Sequence, residues 1–255
     1  MDFITFEGKT IIVTGAASGI GNATAKLLNK LGARCLLLDI NGDALAENDP
    51  APDRNMIRAV DLTAFDQVSD VINDARHEFV MNGGGVDGLG HCAGVPSIVP
   101  LRVLNNDEYE RVQRINTQAG LNLAKIFSKN GVYNKRATTS IVFISSIYGL
   151  VGSAANVAYA VSKAAVIGMT RALAIELAPK RIRVNCVAPG FVNTEMGNVV
   201  EPLFDAQHSD RVNAMHPLGE GEADDIANII AFLLSDRAKW ITGTVLPVDG
   251  GFTAQ

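Results

Sequence analysis

Short apolar stretches rich in leucine or β-branched residues alternate along the chain with longer stretches whose apolar positions recur at helical spacing. Thr10, Ile11, Ile12 and Val13 read as a strand, residues 20–31 as an amphipathic helix and residues 34–38 as a second strand. That alternation predicts βαβ units and a parallel sheet. It continues with strands at 56–60, 86–90, 140–144, 181–187 and 244–248, and with helices at 64–79, 107–129, about 156–177 and 223–234. The expected fold class is α/β, a doubly wound sheet of seven mostly parallel strands with helices on both faces. No linker, low-complexity tract or repeat interrupts the pattern, so residues 1–255 are expected to form one domain. Residues 193–221 are the least regular, and a loop of that length is usually functional.

Composition narrows the classes. Over 255 residues, 47% are hydrophobic and 19% charged, which excludes disorder over most of the length. A net charge of -5 provides no field for a phosphate backbone, so no nucleic-acid partner is expected. No apolar run approaches the roughly 20 residues that span a bilayer, and the first residues lack a basic segment followed by an apolar one. The expectation is a soluble, cytoplasmic protein with no membrane partner. Cys35, Cys92 and Cys186 are widely spaced and odd in number, which argues against disulfides, and the apolar runs around Cys35 and Cys186 suggest small buried hydrophobes. The four histidines show no ligand spacing, so no metal is expected. Gly83, Gly84 and Gly85 read as a plain flexible connection between a helix and a strand.

Other glycines are placed more specifically. Thr14, Gly15, Ala16, Ala17, Ser18, Gly19, Ile20 and Gly21 follow the first strand and open the first helix. Glycine there permits a tight turn and close backbone approach, so that a pyrophosphate can sit on the positive end of the helix. Asp39 ends the second strand, where a carboxylate accepts hydrogen bonds from both ribose hydroxyls and repels a 2′-phosphate. With no Arg or Lys following it, NAD is expected rather than NADP, although Asp is also common near helix N-caps. Asp61, before Leu62, can either cap the following helix or accept a bond from an adenine amino group.

A second set of residues suits proton and hydride chemistry. Ser145 and Ser146 close the fifth strand, and Tyr159 and Lys163 stand four apart on one face of the next helix. Moving a hydride between an alcohol carbon and a nicotinamide requires an acid/base for the oxygen. Tyrosine, with an ordinary pKa of about 10, is a poor base near neutrality, and an adjacent ammonium would lower that value. Ser146 would donate a hydrogen bond to the substrate oxygen.

Together these residues resemble the short-chain dehydrogenase/reductase family, in its short single-domain branch with a Rossmann-like fold, over nearly the whole chain. Thr14 to Gly21 match its Thr-Gly-x-x-x-Gly-x-Gly pattern, Tyr159 and Lys163 its Tyr-x-x-x-Lys, and Ser146 lies at its usual spacing before Tyr159. The resemblance makes Asn116 the fourth member of a catalytic tetrad, holding through its backbone carbonyl a water that links Lys163 to solvent. Pro189 and Gly190 look like the family's Pro-Gly segment, with Val192 and Thr194 reaching the nicotinamide carboxamide. Cofactor contacts are also implied for Ser18, Ile20, Ile40, Leu62, Cys92, Ala93 and Gly94, and for Tyr159 and Lys163 themselves. One departure stands out: the family usually has Asn-Asn-Ala-Gly after the fourth strand, and here the residues are His91, Cys92, Ala93 and Gly94. His91 is then either a substitute structural hydrogen-bonder or a packed core histidine.

The expected activity is that of an NAD(H)-dependent oxidoreductase interconverting a secondary alcohol and a ketone. Expected substrate contacts are Ser146, Tyr148, Tyr159 and Met196, with Ile147, Gly152, Val199, Phe204 and Met215 as further candidates. Their apolar character suggests an apolar or amphipathic substrate, such as a hydroxysteroid or hydroxyacyl compound. Three alternatives remain open: a 3-oxoacyl thioester reductase, a non-catalytic dinucleotide-responsive module, and a sugar epimerase or dehydratase. The resemblance also implies a homotetramer, formed partly through the helix carrying Tyr159 and the C-terminal segment 249–252.

Overall fold

The computed structural model describes residues 3–79, 85–200 and 214–255 of the chain; the side chains of 76–79 and 198–200 are not described. Seven strands form one parallel sheet in the order β3-β2-β1-β4-β5-β6-β9. They are β1 (Thr10–Thr14), β2 (Arg34–Asp39), β3 (Met56–Ala59), β4 (Gly88–His91), β5 (Thr139–Ile144), β6 (Ile182–Pro189) and β9 (Val245–Val248). Every pairing in it is parallel, so the expected "mostly parallel" sheet is wholly so. The order reverses between β1 and β4, which opens a crevice at the carboxyl ends of those strands.

Alternate strand residues enter two cores. On one face, Ile12, Leu36, Leu89, Ile141, Phe143 and Val184 pack with residues of α3 (Phe65–Phe79), α5 (Ala119–Phe127) and α6 (Val157–Leu177). On the other, Ile11, Val13, Cys35, Leu37, Val142 and Val187 pack with α1 (Gly19–Lys30) and α8 (Ala223–Leu234). The period of two sends neighbouring residues to opposite faces, and a sheet covered on both faces needs strands that are apolar throughout. Cys35 and Cys186 are buried within these cores as free thiols.

Several boundaries differ from the sequence expectation. The strand expected at 86–90 runs Gly88–His91, with Val86 forming only an isolated bridge to Tyr133. Asp87 is committed sideways, its carboxylate accepting from the Thr10 amide at 2.9 Å and from Asn134 Nδ2 at 2.8 Å. The helical stretches expected over 107–129 are α4 (Asn106–Gln113), a π-helical turn (Arg114–Gln118) and α5. Asn105 caps α4 by accepting from the Glu108 amide at 2.8 Å. Gly83 and Gly84 lie outside the described residues, while Gly85 is no mere flexible joint: a Cβ there would come within 2.3 Å of the Tyr133 backbone.

The irregular region expected over 193–221 contains ordered pieces at both ends. A two-stranded parallel ribbon pairs β7 (Val192–Asn193) with β8 (Gly221–Glu222), and α7 spans Glu195–Val200. Helix α2 (Gly42–Glu47) is a short addition after β2, capped by Asn41. One expectation on membranes is corrected: Val157–Lys180, α6 and its following turn, is by length and composition alone long and apolar enough to cross a bilayer. Its buried face, including Ser162, Lys163, Val166, Thr170 and Ala174, recurs at helical spacing and packs on the sheet.

Candidate active site

The turn between β1 and α1 is shaped by close approach. Gly15 has φ +66, and a Cβ on it would lie 2.8 Å from the Ala93 backbone. A Cβ on Gly21 would lie 1.9 Å from the Gly15 carbonyl oxygen, so any side chain there would force the helix off the turn. Asn22 Nδ2 donates to the carbonyls of Ala16 and Asn48, at 3.2 and 3.0 Å, and Asn48 Nδ2 donates to that of Ala17 at 3.0 Å. Ser18 occupies the N-cap of α1 without a side-chain capping bond, and the first turn has no acidic residue. The positive end of α1 is thus open to an anion.

A cavity of about 330 Å³ lies over this end. The expected cofactor residues Gly15, Ser18, Gly19, Ile20 and Gly21 line its floor; Asp39, Ile40, Asp61 and Leu62 line one end and Cys92, Ala93, Gly94 and Thr194 the other. Asp39 is aimed by two backbone donors, Ala17 N to Oδ2 at 3.1 Å and Asn41 N to Oδ1 at 3.0 Å. Asp61 Oδ1 accepts from the amide and hydroxyl of Thr63, both at 2.8 Å, which closes a local turn ahead of α3 without capping that helix and leaves the residue facing the cavity. Among the described residues, three carboxylates, those of Asp39, Asp61 and Glu195, line this cavity and no Lys or Arg does. An extended dinucleotide fits these residues: an open helix end meets its pyrophosphate, and a carboxylate at the end of β2 meets a ribose.

A second cavity of about 160 Å³ adjoins the first, and the two share Ile20, Cys92, Gly94, Thr194 and Met196. Ser146, Tyr148, Tyr159, Lys163, Pro189, Gly190 and Val192 line it. All expected cofactor and substrate residues thus face one continuous space. Of the further candidates, Ile147 lines it and Gly152 and Met215 do not; Phe204 and the Val199 side chain lie outside the described residues. Sequence reasoning missed Pro96, Ser97 and Ile98 after β4, Ser153, Ala154 and Asn156 before α6, and Phe191 after β6. Their position just beyond strand ends, where open α/β sheets bind ligands, was the available signal.

Ser146 and Tyr159 line the second cavity together, and the Ser146 hydroxyl is near enough to act on the Tyr159 phenol. Ser146 also caps a short 3₁₀ turn, its Oγ accepting from the Tyr148 amide at 3.2 Å. Lys163 Nζ donates to the Ile144 carbonyl at 2.9 Å and lies 5.5 Å from the Tyr159 ring centroid, while Ser145 Oγ donates to the Lys163 carbonyl at 2.8 Å. These bonds dock the start of α6 against the end of β5. Burial pushes the Tyr159 phenol up to about 12, with the nearby Ser146 hydroxyl acting against it, and pushes the Lys163 ammonium down to about 8. Burial is the largest influence on Tyr159, so its phenol stands above the ordinary value rather than below it.

Asn116 lies behind the cavities, 2% exposed, in the π-helical turn. Its Oδ1 accepts from the Val95 amide at 2.8 Å, and its Nδ2 donates to the Val95 carbonyl and to Ser162 Oγ, both at 3.0 Å. The side chain thereby ties the loop after β4 to α6. A π turn displaces one carbonyl from the regular ladder, a device often found at functional sites.

His91 takes the structural role. One ring nitrogen, Nδ1, is hydrogen-bonded to Thr14 Oγ1 at 2.7 Å, joining β4 to β1, and the ring stands edge-on to Phe143. The second nitrogen, Nε2, is buried without a partner, and burial, followed by the Lys163 charge, pushes the pKa down to about 3. The imidazole is neutral at physiological pH and lines neither cavity. Among the described residues, no cluster of His, Cys, Asp or Glu could hold a metal ion.

Comparison with known proteins agrees with this geometry. A family model described as Enoyl-(Acyl carrier protein) reductase matches residues 15–253. The chain is 35% identical to 3-oxoacyl-[acyl-carrier-protein] reductase FabG of Thermotoga maritima, over 96% of this chain and 98% of that one. It is 37% identical to the short-chain dehydrogenase/reductase aba4 of Botryotinia fuckeliana, over 97% of each. A solved structure of 4-hydroxyisoleucine dehydrogenase complexed with NADH superposes with a TM-score of 0.85 at 29% identity, covering 97% of this chain and 100% of that one. The chain belongs to the short-chain dehydrogenase/reductase family, whose oxidoreductases act on CH-OH groups with a nicotinamide dinucleotide.

Proposed function

We propose that the protein is an NAD(H)-dependent oxidoreductase interconverting a secondary alcohol and a ketone, with Tyr159 as acid/base, and that the chain acts as one catalytic domain. The observation that carries this is the convergence of Ser146, Tyr159 and Lys163 on the wall of the second cavity, which adjoins the first, with Lys163 Nζ 5.5 Å from the Tyr159 ring centroid. A nicotinamide bound there supplies the hydride acceptor or donor. Ser146 orients the substrate oxygen as charge develops on it. A phenol near 12 keeps its proton at neutral pH, so Tyr159 is ready to protonate the oxygen of a ketone being reduced. In the oxidising direction it must first lose that proton, and the Lys163 ammonium favours the phenolate. Asn116 positions the loop after β4 and α6 around this pair, and its backbone carbonyl is proposed to hold the water that relays protons from Lys163.

The preference for NAD rests on Asp39 and on a nucleotide cavity whose described charged residues are all acidic, since a 2′-phosphate would meet repulsion there. The relative complexed with NADH supports the same reading. In a titration NADH should bind about tenfold or more tighter than NADPH, and equal or tighter NADPH binding overturns the preference. Tyr159→Phe should lower turnover of any identified substrate by about a hundredfold or more. Full turnover by that variant would remove tyrosine from the reaction.

The relatives named as 3-oxoacyl reductases favour a second reading, reduction of a 3-oxoacyl thioester. It predicts a higher kcat/KM for an acetoacetyl thioester than for simple ketones. A homotetramer is proposed with either reading, supported by the outward residues of α6 described below.

A further inference from the structure

Among the polar groups of the second cavity that the proposed chemistry does not use, Asn156 has a buried oxygen, Oδ1, with no hydrogen-bond partner, and the residue is 5% exposed. Helix capping does not account for it: the side chain caps nothing, and only the backbone carbonyl serves α6, accepting from the Ala160 amide at 2.8 Å. An unpartnered buried amide costs stability, and such groups ask for a reason. Asn156 is the N-cap of α6, three residues before Tyr159, and both residues line the same cavity. Its terminal torsion is broad and roughly two-fold, so the amide can turn either its oxygen or its NH₂ toward a ligand.

The neighbouring side chains restrict what that ligand can be. Ser97 lines the same cavity, and its hydroxyl donates to Glu108 Oε1 at 2.8 Å. Arg111 grips Glu108 with two bonds of 2.8 and 3.0 Å, so the carboxylate is held in place as acceptor. With its proton so committed, Ser97 can offer a ligand only lone pairs. Ser153 donates its hydroxyl to the Ala154 carbonyl at 3.4 Å, and so it too turns lone pairs to the cavity. Lys163 is the one charged side chain among the described residues of the wall, and its Nζ already faces the Ile144 carbonyl. A carboxylate or phosphate on the substrate would find no separate counter-charge. An ether or ester oxygen would satisfy the amide in one orientation and leave Ser97 without a donor.

We propose that Asn156 forms a subsite for a second, neutral hydroxyl on the substrate, so that the enzyme takes hydroxyketones and the matching diols in preference to plain ketones or keto acids. This rests on the oxidoreductase reading. A hydroxyl both donates and accepts, and so meets the amide in either orientation and the Ser97 lone pairs as well. In reduction the carbonyl carbon receives the hydride of the reduced coenzyme and the carbonyl oxygen receives the Tyr159 proton. The second hydroxyl passes through unchanged.

Matched probes test the subsite: 4-hydroxy-2-butanone against 2-butanone, and 5-hydroxy-2-pentanone against 2-pentanone, at saturating reduced coenzyme. The hydroxylated member of at least one pair should show a kcat/KM about tenfold or more above its partner. Asn156→Leu, close in size, should bring that ratio to within about threefold of unity, and Asn156→Ser, which keeps a hydroxyl, should retain part of it. Because Leu removes an unsatisfied buried group, Asn156→Leu should also melt about 2 °C higher than the wild type. A lower melting temperature together with an unchanged ratio assigns Asn156 to structure and overturns the subsite. A wild-type ratio near one for both pairs overturns it as well. Reduction of none of the four ketones overturns the reaction itself, an outcome separate from failure of the ratio.

Discussion

The imidazole of His91 ties β4 to β1 with one nitrogen and leaves the other buried and unpartnered. Its pKa of about 3 in the fold against an ordinary 6.5 fixes the sign of a pH effect. Below pH 6.5 the unfolded chain takes up a proton that the folded chain refuses, so stability falls as the pH drops from 6.5 to 3. At pH 5 the loss is about 2 kcal/mol. His91→Asn, restoring the amide usual in the resembling family, should keep the fold and shrink the stability difference between pH 7 and pH 5 by about that amount in urea unfolding. An unchanged difference would mean that His91 is protonated in the fold. The departure at this residue was visible in the sequence, and both structural readings open there are met at once, since the ring is packed in the core and hydrogen-bonded. The trio of Ser146, Tyr159 and Lys163 was legible only from spacing together with the family resemblance, and the structure gathers it on one cavity wall. Asn156 was not legible, because an Asn before a helix ordinarily reads as a cap, and only the cavity shows that it caps nothing.

Among the elements, the start of α1 carries the sharpest steric demand. Gly21→Ala places a methyl group 1.9 Å from the Gly15 carbonyl if nothing moves, so the turn must open. The expected outcome is a stability loss of about 1–3 kcal/mol and nucleotide binding weakened by more than about tenfold, measured by thermal melting and coenzyme titration. Strand and helix order was readable because β1, β2 and β5 carry continuous apolar runs and α1, α3 and α8 keep a helical period between strands. Boundaries were less so. The π-helical turn adds a residue inside a continuous apolar pattern, and nothing in the pattern of 107–129 divides α4 from α5. The start of β4 shifts because Asp87 spends its carboxylate on the Thr10 amide and on Asn134, a contact between distant parts of the chain.

For the whole molecule, α6 links the chemistry to the surface. Its inner face carries Lys163, while Val157, Val161 and Ile175 on the same helix are 39%, 41% and 77% exposed. A helix apolar all round is ordinarily buried on all sides, so the outward residues call for a further layer. Trp240, 95% exposed, adds to the apolar surface elsewhere. The proposed homotetramer should appear in light scattering as a mass four times the 27.0 kDa of the chain. Arg substituted at Val161 and Ile175 together should reduce that mass. A wild-type mass equal to one chain would leave the outward face of α6 without the proposed partner.

The ribbon of β7 and β8 joins the two ends of the stretch between Asn193 and Gly221, with Val192 opposite Gly221 and the Gly221 amide donating to the Phe191 carbonyl at 3.0 Å. Glu222 then enters α8 through a reciprocal capping box with Asp225. Once its ends are fastened, the cost of closing such a segment changes by only about 0.6 kcal/mol for each doubling of its length. The clasp thus makes the enclosed stretch an exchangeable cassette. Thr194, Met196 and Gly197 inside the clasp line the space beside Tyr159, so exchanges there would reshape that space while the sheet and the nucleotide turn stay as they are, and a lineage built on this scaffold could diversify its diet without refolding its core.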